Sequence, residues 1–123
     1  MKKKVYLAGP MSGYPEFNFP AFHAAAAKLR ADGYFVFNPA ERDIERHNGI
    51  DISKGNAAGC QELAAKEHGF SLRDALADDT WWICKEADAI AMLPGWEKSK
   101  GANAELALAK ALGHEIIYLE DAA

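Results

Sequence analysis

An α/β fold on a parallel sheet, covered by helices on both faces, is predicted by three observations. Short apolar runs alternate with helical patterns: strand, helix, strand, helix, strand, helix, strand. The helical patterns carry their apolar residues on one stripe. Turns rich in glycine and proline follow the first and third strand runs, where sheets of this kind bind ligands. The 123 residues are read as one domain, 1–123, and half of them are hydrophobic, enough for a core.

The first strand is Val5-Tyr-Leu-Ala8, and it ends at the turn Gly9, Pro10, Met11, Ser12, Gly13. Glycine there lets backbone N–H groups approach an anionic ligand, although many strands simply end in Gly-Pro. Pro20 suits a first helical turn. The helix reaches about Ala31 with Phe22, Ala25, Ala26 and Leu29 inward, and Asp32-Gly33 stops it. Tyr34 to Phe37 is the second strand, closed by Asn38-Pro39.

From Ala40 to Phe70 the pattern fades, with glycines at 49, 55, 59 and 69. Cys60 to Glu67 reads as one short helix. The rest is a long irregular excursion, at about 42–70, and two readings stay open. It is a lid or binding loop, or a disordered insertion.

Ser71 is the next N-cap, with Asp74 in a capping-box-like position. This helix runs to about Lys85 on a stripe of Leu72, Leu76 and Ile83. Asp79 falls on that stripe, so one carboxylate faces inward. Trp81 and Trp82 flank it as packing residues, or one of them lines a pocket. Cys84 reads as a small buried hydrophobe. Ala89 to Leu93 is the third strand. After Pro94-Gly95, Ser99 is an N-cap type for a helix to Leu112. Glu105 sits on that helix beside Leu108, Ala109 and Leu112. It is either a helix-start carboxylate paired locally or a group pointing into a cleft. Glu115 to Leu119 is the last strand, before a polar tail.

With strand order 2-1-3-4 this is a flavodoxin-like three-layer fold with a four- or five-stranded parallel sheet. Its crevice lies between the first and third strands. The loops there are Gly9 to Asn18 and Pro94 to Gly101, so Asp79 and Glu105 can converge on one pocket.

The formal net charge of −4 argues against a binder of nucleic acid polymers. Two distant cysteines and four scattered histidines give no disulfide framework or metal-ligand spacing, so no metal or other cofactor is expected. No apolar run approaches the roughly 20 residues of a membrane span, and no signal peptide is visible. A soluble, cytoplasmic protein without a membrane partner is the expectation.

Three segments carry a resemblance. They are Tyr6-Leu-Ala-Gly-Pro-Met-Ser-Gly13, Asn38-Pro-Ala-Glu41, and Leu93-Pro-Gly-Trp-Glu-Lys-Ser-Lys-Gly-Ala102 with Glu105. They resemble the DUF4406 family, small bacterial and phage proteins related to nucleoside 2-deoxyribosyltransferases. The resemblance covers most of residues 3–41 and 74–119.

It implies roles residue by residue. Glu105, four residues after Gly101, matches the superfamily's nucleophile. Asp79 with Ile83 matches the aspartate of acid/base work, although Asp79 to Asp88 is one residue longer than in characterised relatives. Tyr6 matches the tyrosine that orients the nucleophile. Ser99, two residues before Gly101, resembles the serine that contacts a 5′-phosphate in nucleotide N-hydrolases. It also serves simply as a cap. Trp96 stacks on a base or packs.

The implied activity is cleavage or transfer at the N-glycosidic bond of a nucleoside or nucleoside 5′-monophosphate. The helix macrodipole is expected to keep Glu105 ionised, and apolar surroundings to make Asp79 easier to protonate. The alternative is a nucleotide-binding or sensing module without turnover. A protein-interaction module using the excursion is a third reading. A homodimer or larger is implied by the resemblance alone.

Overall fold

The structure is a computed structural model that describes residues 2–51, 53–54 and 56–120. Gly55 and the tail beyond Glu120 lie outside the described residues. The strands are β1 (Lys4–Ala8), β2 (Phe35–Phe37), β3 (Ala89–Met92) and β4 (Glu115–Tyr118). The helices are α1 (Phe19–Ala31), α2 (Pro39–Arg46), α3 (Gln61–His68), α4 (Leu72–Lys85) and α5 (Lys100–Ala111). The sheet is wholly parallel with order β2-β1-β3-β4. The fold is therefore the expected flavodoxin-like three-layer α/β arrangement, with four strands.

The period-2 alternation of the central strands decides what each face buries. Val5 and Leu7 of β1, with Ala89 and Ala91 of β3, pack against Phe19, Phe22, Ala26 and Leu29 of α1. Tyr6 and Ala8, with Ile90 and Met92, turn to the other face. There they meet Ile83 of α4 and Ala102, Leu106 and Ala109 of α5. Tyr6 pairs in register with Ile90, and Ala8 with Met92. Both central strands are thus buried on both sides, as in other parallel sheets. Complete burial of one such Ile or Met side chain contributes roughly 1.5–3 kcal/mol.

Several local expectations need correction. Cys84 is exposed, as is Cys60, because it falls on the outer side of α4. Leu72 and Leu112 are also exposed, Leu72 as the first residue of α4 and Leu112 as the residue that caps the end of α5. The segment after Asn38 is a helix rather than irregular chain. Asn38 accepts from the Ala40 N–H at 3.0 Å, and Pro39 fills the first turn. The short helix expected at Cys60 to Glu67 forms over Gln61–His68, with Cys60 as its N-cap residue. Ser71 and Ser99 do cap their helices, accepting from Asp74 N–H at 3.3 Å and Ala102 N–H at 3.1 Å.

The segment between α2 and α3 is tied to the turn after β1. Gly13 N–H donates to Gly59 O at 2.9 Å, and Glu16 N–H to Asn56 O at 2.9 Å. Gly59 adopts φ +62°, and a Cβ there would lie 2.1 Å from the Tyr14 carbonyl oxygen. Glycine is required at this crossing on both counts.

Candidate active site

A cavity of about 580 Å³ opens beyond the C-terminal ends of β1 and β3, where the strand order reverses. That volume suits a small organic ligand. Tyr6, Asp79 and Glu105 all line it. Each arrives from a different element, and the reason is the sheet's alternation. Tyr6 points from β1 to the face that α4 and α5 cover. Asp79 and Glu105 stand on the inward stripes of those two helices.

The Tyr6 hydroxyl donates to Glu105 Oε2 at 2.6 Å. Tyr6 is 1% exposed, Glu105 6% and Asp79 7%. Tyr6 is held flat by Phe37, stacked at 5.4 Å, with Trp82 beside both rings. Oδ1 of Asp79 is buried without a hydrogen-bond partner. The nearest cation is Arg46, whose Nη1 stands 3.7 Å from that oxygen.

Burial dominates the electrostatics. It raises Glu105 to about 8, against the Tyr6 hydrogen bond, which favours the ionised form; the charge of Asp79 raises it further. Burial likewise raises Asp79 to about 7, opposed by the charge of Arg46. The Tyr6 phenol is pushed well above its ordinary value, chiefly by burial and then by the Glu105 charge. The expectation that Glu105 stays ionised through the macrodipole is therefore corrected. Glu105 is the sixth residue of α5, beyond the first turn where that field acts, and desolvation outweighs it. The expectation that Asp79 is easily protonated agrees with its environment.

The other expected site residues divide. Gly9, Pro10, Met11 and Ser12 line the cavity, as do Ser99 and Gly101, with Lys98 and Lys100 beside them. Gly9 has a packing reason as well, since a Cβ there would lie 2.7 Å from Leu93 Cβ. A Cβ at Gly101 would meet nothing within 4 Å, so the start of α5 is open to the cavity. Gly13 is not in the lining, and its N–H is engaged with Gly59 O. Trp96 is not in the lining either. It packs on Tyr118 with ring centroids 5.8 Å apart. Neither Trp81 nor Trp82 lines the cavity.

Several lining residues went unread in the sequence. Pro39 and Asp43 of α2, Gln61 of α3 and Phe70 close one side of the cavity. Ser12 Oγ accepts a hydrogen bond from the Gln61 side-chain amide. The excursion therefore supplies a wall of the pocket. The signal for α2 was present as Asn38-Pro39, a cap followed by a first-turn proline. Among the described residues, no group of three His, Cys, Asp or Glu side chains is arranged to hold a metal ion. No helix is long and apolar enough to cross a membrane, again among the described residues.

The model of one family, Domain of unknown function (DUF4406), matches residues 3–118. The chain belongs to that family, and the matched span contains the excursion. No curated protein matches the chain.

Proposed function

We propose that this member of the DUF4406 family cleaves the N-glycosidic bond of a nucleoside 5′-monophosphate or nucleoside. The observation that carries the reading is the convergence of two desolvated carboxyl groups and a phenol at the floor of one cavity. A module that only bound an anionic ligand would gain nothing from burying two carboxyls against it. Glycosidic cleavage commonly uses such a pair, with an oxocarbenium-like transition state.

In the proposed cycle, the Glu105 carboxylate attacks the anomeric carbon. The C–N bond breaks, and its electron pair goes to the base nitrogen, which takes the proton of Asp79. A glycosyl ester of Glu105 remains. Water then attacks the anomeric carbon, its proton passes to Asp79, and the Glu105 carboxylate departs. A nucleoside base in place of water would give transfer rather than hydrolysis. The reactive form holds one proton on the pair, on Asp79. Tyr6 draws the pair toward that form by donating to the Glu105 carboxylate, but burial outweighs it, and Glu105 at about 8 keeps the proton ahead of Asp79 at about 7. The positive charge developing on the sugar stabilises the Glu105 carboxylate and shifts the proton to Asp79.

Ser99, Lys98 and Lys100 at the start of α5 support a 5′-phosphate at that end of the cavity. The resemblance to nucleoside 2-deoxyribosyltransferases supports the same chemistry. It also implies a homodimer or larger, which light scattering reads directly. The test of the activity is incubation with a panel of nucleosides and 5′-monophosphates, followed by chromatography for free base.

A further inference from the structure

We propose that Arg46 is a positioning residue for Asp79, and that Asp43 competes with Asp79 for its guanidinium. Arg46 lies on α2, outside the strands and helices that carry the pair, and one fifth of its side chain is exposed. Its Nη2 donates to Asp43 Oδ1 and its Nη1 to Asp78 Oδ2 at 2.6 Å. The same Nη1 stands 3.7 Å from Asp79 Oδ1, too far for a hydrogen bond. Arg42 adds two bonds to Asp78, from Nε at 2.7 Å and Nη2 at 3.3 Å.

The cluster thus sets four carboxyls, Asp43, Glu45, Asp78 and Asp79, against two guanidinium groups. One carboxyl is left over. It is Asp79, because Arg46 donates to Asp43 and Asp78, Arg42 to Asp78 and Glu45, and Asp79 Oδ1 has no donor. The spare carboxyl is the one that keeps a proton most readily, which is what an acid needs.

The other groups around Asp79 do not reverse this. Tyr6 of β1 donates to Glu105 of α5 and lowers Asp79 only as a lesser contribution, behind burial and the neighbouring charges. His47 approaches Asp43 at its backbone carbonyl, with Nδ1 at 2.7 Å. Glu45 meets Arg42 at 3.5 Å on the exposed side. Asp43 itself is 4% exposed and lines the cavity. The arrangement lets α2 hold Asp79 in place by charge without giving its Oδ1 a hydrogen bond.

The inference rests on the glycosidic reading only for calling Asp79 an acid. Its test needs no substrate. The Asp79 midpoint is measured by carbon-13 NMR of labelled aspartate carboxyls in the full chain, assigned with Asp79→Asn. Asp43→Asn frees one arm of Arg46 for Asp79, and the midpoint should fall by about one pH unit. Arg46→Met removes the cation, and the midpoint should rise by a similar amount. Opposite shifts from two neighbours are not produced by general loosening of the site. An unchanged or raised midpoint in Asp43→Asn overturns the proposal, and that variant decides the matter if Arg46→Met does not fold. If the shifts appear and no base is ever released, the positioning stands and the glycosidic reading falls.

Discussion

The Tyr6 hydroxyl donates to Glu105 Oε2 at 2.6 Å, joining β1 to α5 across 99 residues of chain. Among the described residues, this bond is the one direct donor to a carboxylate that burial otherwise drives toward neutrality. Tyr6→Phe should therefore raise the pH at which Glu105 ionises. In a pH–rate profile, the acidic limb should move to higher pH and the rate at pH 7 should fall by at least about tenfold. An acidic limb at the wild-type position would remove Tyr6 from the mechanism.

Glu105 also ties stability to pH. Its folded value, about 8, lies above the unfolded value near 4.3. Between those values the unfolded chain releases a proton that the folded chain keeps. Stability from this group is therefore full below about pH 4 and is lost as pH rises toward 8. Asp79, at about 7, acts in the same direction. Glu105→Gln keeps an acceptor for Tyr6 and removes the titration. Its Tm should exceed wild type by several degrees at pH 8.5 and converge with it near pH 4. A wild-type Tm that does not decline relative to the variant would contradict the buried, raised carboxyl.

The inward carboxylates were legible in the sequence because Asp79 and Glu105 interrupt apolar stripes at helical spacing. The parallel sheet was legible because strand and helix patterns alternate with few ambiguities, and the order 2-1-3-4, taken from the flavodoxin-like arrangement, is the one observed. What the stripes did not reveal was α2. Its eight residues, Pro39–Arg46, include five charged ones, Glu41, Arg42, Asp43, Glu45 and Arg46. It is anchored by Ala40 in the core and by ion pairs to α4. Its apolar stripe is a single pair, Ala40 and Ile44 one turn apart, too short to stand out among those charges. Gln61 was missed for a related reason, since only the folded crossing at Gly59 brings it to Ser12. The raised value of Glu105 depends on burial depth, which helix position alone understates.

The crossing at Gly59 gives a stability prediction. Gly59→Ala combines a left-handed φ with a Cβ pressed against the Tyr14 carbonyl. It should cost roughly 2 kcal/mol or more in urea unfolding and weaken ligand binding by moving the Gly9-to-Tyr14 turn. A change below about 0.5 kcal/mol would mean that the crossing relaxes freely.

Ser99 discriminates between ligands. As the cap of α5 it faces the cavity, and an aspartate there would cap equally well but repel a phosphate. Wild type should bind a nucleoside 5′-monophosphate more tightly than the nucleoside, and Ser99→Asp should lose that preference at unchanged Tm. Equal binding of both ligands by wild type would sink the phosphate assignment.

Release of free base, compared between wild type and Glu105→Ala, tests directly whether Glu105 is the nucleophile of an N-glycosidic cleavage. Wild type should free a base from at least one 5′-monophosphate or nucleoside of a broad panel. Glu105→Ala, checked for an intact fold by circular dichroism, should free none above the uncatalysed rate. Base release by the variant at the wild-type rate, or none by wild type from any member of the panel, would contradict that role.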